Sequence, residues 1–158
     1  MKKILFIVAI FAIAFLQNIF AQDSTSQSQL SQLLTSYYNI KDALVAGNAN
    51  TASTSAELFL KTANGIDYKL VSEGNINVLV KDAGKISTTK DIKQQREIFA
   101  SLSANMFALA KGVKLTTKPI YEVYCPMKKS YWLSSDKAIK NPYFGSAMLT
   151  CGSVKETL

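Results

Sequence analysis

Histidine is missing from all 158 residues, and cysteine occurs only twice, at Cys125 and Cys151. The first absence removes the usual base of Cys–His and Ser–His catalysis and the imidazole ligands of most zinc sites. The second leaves one disulfide at most. With 25 residues between the two cysteines, the Cys-x-x-Cys spacing of thiol oxidoreductases is also lacking. Acidic residues number 11 against 18 lysines and arginines, and Asp82, Asp91, Glu97 and Glu122 show no paired-carboxylate pattern. An enzyme is therefore not expected.

Long apolar runs are few as well. One extends from Ile4 to Leu16, behind Lys2 and Lys3, and Ile19-Phe20-Ala21 stands before Gln22. That is the layout of a secretory signal peptide cleaved after Ala21. No later run is long enough to span a bilayer, so the expected product is periplasmic or secreted, with no membrane span. The expected organisation is a signal peptide at 1–21, a disordered Ser/Gln-rich leader at 22–29, and a single helical domain at 30–158. Residues 22–158 carry 16 basic and 11 acidic side chains. Apart from Lys128-Lys129 the lysines are scattered, which argues against nucleic acid as a partner. A chain of this length can bury a core without a disulfide or a metal, so a bound ion would serve function rather than folding.

Leu30, Leu33, Leu34, Tyr37, Leu44 and Val45 share one stripe of period 3.6 and predict a first helix, ended by Gly47-Asn48. A second is expected from an Asn50 cap, with Ala52, Ala56, Phe59, Leu60 and Ala63 inward, to Asn64-Gly65. Segment 71–86 fits alternation or helical spacing and is read as a helix. Thr88, Thr89 or Asp91 can cap a fourth, in which Ile92, Phe99, Leu102, Met106 and Leu109 face inward before Lys111-Gly112. After Pro119 β-branched and aromatic residues take over. Ile120 to Tyr124 reads as a strand that places Tyr121, Val123 and Cys125 on one face, with Met127 following if the chain stays extended through Pro126. Tyr131 to Ser134 can pair back. The fold class expected is mainly α: an antiparallel four-helix bundle followed by a short β-hairpin-like, loop-rich C-terminal region.

Sulfur is concentrated in that last region: Cys125-Pro126-Met127 at one end and Met148-Leu149-Thr150-Cys151 at the other. A site built from thiolates and thioethers without imidazole suits a soft ion, copper(I) first and silver(I) as its mimic. The candidate ligands are Cys125, Met127, Met148 and Cys151. The same cysteines can instead form a Cys125 to Cys151 disulfide, worth about 3 kcal/mol by chain entropy, with the methionines as core filler. A free, redox-active pair is the third reading, and the three overlap, because a reducible pair can bind copper when reduced and lock when oxidised. Tyr121, Tyr124, Tyr131, Trp132, Tyr143 and Phe144 gather in the same stretch. Of these, Tyr124, Trp132, Tyr143 and Phe144 are the candidates for a dry cover over the sulfurs.

Several strings together resemble a known family: Tyr37-Tyr38-x-Ile40-Lys41-Asp42-Ala43-Leu44, Gln95-Arg96-x-x-Phe99-x-x-Leu102-Ser103, Tyr124-Cys125-Pro126-Met127, Trp132-Leu133, Asn141-Pro142-Tyr143-Phe144-Gly145 and Met148-Leu149-x-Cys151-Gly152. The family is a bacterial exported one of unknown function, whose members occur alone or joined to periplasmic adaptor subunits of copper and silver efflux systems. The resemblance spans about residues 30–157. It implies a helical, heavy-metal-associated domain in which Cys125, Met127, Met148 and Cys151 bind the ion for buffering or for delivery to an efflux adaptor. The competing expectation is a non-enzymatic structural or protein-interaction module stabilised by the disulfide.

Overall fold

A computed structural model of the protein describes residues 26–158. The expected signal peptide and residues 22–25 of the expected leader lie outside the described residues. Helix α1 covers residues 26–45, α2 Ala49–Asn64, α3 Glu73–Thr88 and α4 Ile92–Gly112. Strands β1 (Tyr121–Cys125), β2 (Ser130–Ser134) and β3 (Ser153–Thr157) follow, with a short 3-10 turn at Gly145–Met148 before β3. Four helices and a small C-terminal sheet make the chain mainly helical, as the hydrophobic periodicity predicts. Among the described residues no helix is long and apolar enough to cross a membrane.

The helix ends follow from local chemistry, with two corrections. Residues 26–29, expected in an unstructured leader, are helical. Their polar side chains find fixed partners: Gln27 Nε2 donates to the Lys114 and Leu115 carbonyls at 3.3 and 3.1 Å. The α2 cap is Asn48 rather than Asn50. Gly47 takes φ +72°, the left-handed conformation that glycine tolerates, and the chain then leaves Asn48 extended, its Oδ1 accepting from Thr51 N–H at 3.0 Å. Asp91 caps α4 by accepting from Lys93 and Gln94 N–H, and Ser72 caps α3. Burial decides the ambiguous third segment, since α3 hides Ile76, Leu79, Ala83 and Ile86 at helical spacing while Val78 is exposed.

Small residues on α2, Ala52, Ser53, Ser55 and Ala56, are buried and let neighbouring helices approach closely. Helix α2 packs on α3, and α3 on α4. At the centre Tyr37 of α1 and Phe99 of α4 stack with ring centroids 5.2 Å apart. The buried Tyr37 hydroxyl bonds to Ser103 Oγ at 2.7 Å and accepts from Leu133 N–H at 3.0 Å. One phenol thus joins α1, α4 and the sheet.

The sheet is antiparallel with order β2-β1-β3. Tyr121 faces Ser134 and Cys125 faces Ser130 across β1 and β2. Strand β3 was not expected, because Ser153-Val-Lys-Glu-Thr is largely exposed and carries no buried alternation. Pairing creates it: Ile120 and Leu158 exchange backbone hydrogen bonds at 3.0 and 2.9 Å, and β1 continues the ladder. A register shift between Glu122 and Val123 leaves Lys155 as the extra residue of a bulge. The face bearing Glu122 and Tyr131 turns to Ala100, Ala104 and Phe107 of α4. The opposite face, with Val123, Cys125 and Trp132, is covered by the segment between β2 and β3.

Tyr37→Phe leaves Leu133 N–H without its acceptor in a dry site. It is expected to lower unfolding free energy by about 1–3 kcal/mol, read as a lower urea midpoint with unchanged slope. Glu122 provides a pH test. Burial, then the facing Glu156, raise its pKa against the pull of Lys111. The folded state therefore holds this proton when the unfolded state has released it. Stability contributed here is full below the ordinary carboxylate range and falls as pH rises through the raised value. Glu122→Gln should flatten that part of the stability–pH profile.

Candidate functional site

Strand β1 delivers Cys125, fully buried, to the covered face of the sheet. The chain then turns over residues 126–129, and Lys129 adopts φ +55°. Extended backbone does not continue through Pro126, which corrects the expectation that Met127 shares the face of Cys125. Its thioether stands in the turn, 64 % exposed. On the other side the 3-10 turn ends at Met148, which is half-buried, and Cys151 N–H donates to the Met148 carbonyl at 3.1 Å.

The two cysteines meet. Both are free thiols, Cys125 buried and Cys151 half-buried, tied to one another through Asn141 and close enough for Cys125 to act on the Cys151 thiol. Cys125 Sγ also receives Asn141 Nδ2 at 3.2 Å and Lys128 N–H at 3.4 Å. The Met127 backbone lies near enough to the Cys151 sulfur to pull its pKa down. Partial burial, the hydrogen bond shared with Cys125 and repulsion from its charge push the Cys151 thiol up, against the downward pull of the Met127 amide. The metal-free pair therefore favours thiol over thiolate at Cys151, while donors stand ready around the Cys125 sulfur.

Asn141, which the sequence offers only as part of the Asn141-Pro142-Tyr143-Phe144-Gly145 string, organises this arrangement. Fully buried, it donates from Nδ2 to Cys125 Sγ and to the Cys151 carbonyl at 2.7 Å. Its Oδ1 accepts from Tyr143 N–H at 2.8 Å and Phe144 N–H at 3.3 Å. Its own N–H donates to the Leu149 carbonyl at 2.8 Å. One amide thus ties the end of β1 to the returning segment. The Asn141-Pro142 step followed by Gly145 is the turn signal that points to this position in the sequence.

The aromatic candidates divide. Trp132 pairs with Val123 on the cysteine face, meets Tyr143 edge-on at 6.0 Å, and crowds Gly152, where an added Cβ would fall 2.7 Å from its ring. Tyr143 is buried and its hydroxyl donates to the Tyr131 carbonyl. Burial raises its pKa most, with a further upward push from Cys125. Phe144 is half-buried, its N–H donating to the Asn141 side-chain oxygen Oδ1. Tyr124 instead lies on the other face, tilted on Tyr131 at 4.7 Å. The site is anchored to the helices by Lys128–Glu97 and by Gly145. This glycine has φ +56°, and a Cβ there would come 2.5 Å from Arg96 Nη2 and 2.9 Å from the Val45 carbonyl.

Among the described residues no group of three or more His, Cys, Asp or Glu side chains is placed to hold a metal ion. What the geometry offers is a thiol pair, with thioether-bearing Met127 and Met148 on the flanking turns. The protein is thus a four-helix domain that carries a small antiparallel sheet, with paired thiols beneath a returning loop. Residues 33–118 match the family model described as a protein of unknown function, DUF3347. That is more than half of the chain, and the protein belongs to this family. All four candidate sulfur ligands lie beyond the matched stretch. No curated protein and no solved structure matches the chain.

Two outcomes are expected. Cys151 should react with an aromatic disulfide reagent in the native protein, with the pH profile of its rate displaced above that of a free cysteine, while Cys125 reacts only on unfolding. Gly145→Ala should cost about 1–3 kcal/mol, measured by thermal denaturation, because the left-handed backbone and the Arg96 contact both oppose a side chain.

Proposed function

We propose that this protein binds a soft monovalent ion, copper(I) or silver(I), between Cys125 and Cys151 in the periplasm, to buffer it or to deliver it to an efflux adaptor. The observation that carries this reading is the convergence of two unbridged thiols with 25 residues between them in sequence. Two thiolates satisfy the low coordination number that copper(I) accepts, and the lack of histidine removes the imidazole ligands favoured by copper(II) and zinc. The donor set fits the ion.

Binding requires both thiols to lose their protons to solvent, leaving two thiolates and one cuprous ion with a net charge of −1. Asn141 Nδ2 and the Lys128 amide are aimed at the Cys125 sulfur, so the charge that appears there has donors in place. Trp132 and Tyr143 limit access of water from the covered side. The Met127 thioether, exposed on the turn, is the ligand by which the ion can be received or passed on, and Met148 is the partner thioether on the opposite turn. The periplasmic setting and the efflux adaptor rest on the signal-like N-terminus and the family resemblance.

The thiol contact also supports a second reading, a structural or protein-interaction module closed by a Cys125 to Cys151 disulfide. Reduced protein titrated with copper(I) against a competing chelator separates the two. Saturation at one ion with release of about two protons is expected, with Cys125→Ser or Cys151→Ser abolishing it. Asn141→Ala should weaken affinity by about 10–100-fold, and Met127→Leu or Met148→Leu should weaken it less. Absence of cuprous binding after full reduction, with fully oxidised cysteines in exported protein, would leave only the structural module.

A further inference from the structure

A second place in the molecule carries unsatisfied chemistry, away from the sulfurs. Between α4 and the sheet lies an open groove of about 580 Å³, walled by Ala100, Ala104, Phe107 and Tyr131. That size falls within the range of small-molecule sites. Glu122 lines it although only 7 % exposed. Among the described residues no hydrogen bond or ion pair reaches its carboxylate. Glu156, facing it across the sheet, is engaged by Lys111. Most of Glu122 is covered while its carboxylate opens onto the groove, and the complement of such a partnerless carboxylate is a cation or a strong donor.

The rim has the opposite character. Lys129 and Lys155 line the same groove, both exposed. Among the described residues neither has an ion-pair partner, and Lys155 lies over the Tyr124 ring at 5.8 Å. The bulge in β3 explains why Lys155 is here: the extra residue lets it share the face of Glu156. The free charges on the lining are thus one largely covered carboxylate and two exposed ammonium groups, beside an apolar wall. A simple amine would face the lysines unfavourably, and a simple carboxylate would face Glu122. A molecule with both charges, and an apolar body, answers every part.

The geometry points to a binding site for a zwitterionic α-amino acid with an apolar side chain: its ammonium group on Glu122, its carboxylate on Lys129 and Lys155, its side chain on Ala100, Ala104, Phe107 and Tyr131. This site is independent of the cysteines and of any metal. The experiment uses the whole domain and L-phenylalanine as probe, followed by calorimetry and by NMR shifts of α4 and β3 amides. Saturable binding is expected, weakened at least tenfold in Glu122→Gln and in a Lys129→Ala, Lys155→Ala double variant, which corresponds to about 1.4 kcal/mol. Phenethylamine and 3-phenylpropionate, each lacking one charge, should bind at least as poorly. Cys151→Ser should bind L-phenylalanine like the unaltered protein. No saturable shift at the groove, equal binding of the singly charged analogues, or indifference to Glu122→Gln would overturn the proposal. So would concentration-dependent self-association that broadens the groove amides, which would give the groove to a second copy of the chain.

Discussion

The paired hydrogen bonds from the Asn141 side-chain amide, one to the Cys125 sulfur and one to the Cys151 carbonyl, are the constraint on which the sulfur site depends. The two cysteines belong to different parts of the sheet region, one at the end of a central strand and one in the approach to an edge strand. Neither strand pairing nor hydrophobic burial alone would bring their side chains together. A primary amide can do so because it carries two donors and an acceptor in one rigid plane. Here the acceptor holds the next turn of its own loop, so satisfying one residue orders three segments.

That loop rests on a bundle whose stability does not come from sulfur. The Tyr37 hydroxyl, held between Ser103 and the Leu133 amide, sets the height of the sheet above the helices. Arg96, donating to the Leu44 carbonyl at 2.8 Å, closes the end of α1 against the same loop, and desolvation lowers its pKa. The thiols can therefore change protonation or partner without carrying the fold with them.

Much of the scaffold could be read directly. Stripes such as Ile92, Phe99, Leu102, Met106 and Leu109 announce a helix because burial in a bundle demands that period, and Gly47 and Gly65 mark ends. The cap of α2 was misplaced because either Asn48 or Asn50 can serve, and only the turn at Gly47 decides. Strand β3 was invisible for a different reason: an edge strand exposed on most of its residues needs no hydrophobic pattern and exists through its pairing with β1. The candidate sulfur residues were recognisable by element. Their juxtaposition depends on Asn141, and the departure of Met127 from the Cys125 face depends on a turn that alternation ignores. Glu122 was seen as an ordinary acidic residue, since nothing in its neighbours reveals that the opposite strand brings a second carboxylate.

Gly145 carries a consequence for how such a site can be transplanted or inherited. Its backbone lies against the Val45 carbonyl and the Arg96 guanidinium, so the helical body acts as a mould for the loop that carries Cys151. A peptide excised around the cysteines would retain every donor atom but lose the template. Grafting the segment onto a foreign framework would require transferring the footprint on α1 and α4 with it. In this protein the unit of heredity for the centre is thus a surface and its fitted loop, rather than a linear string of letters.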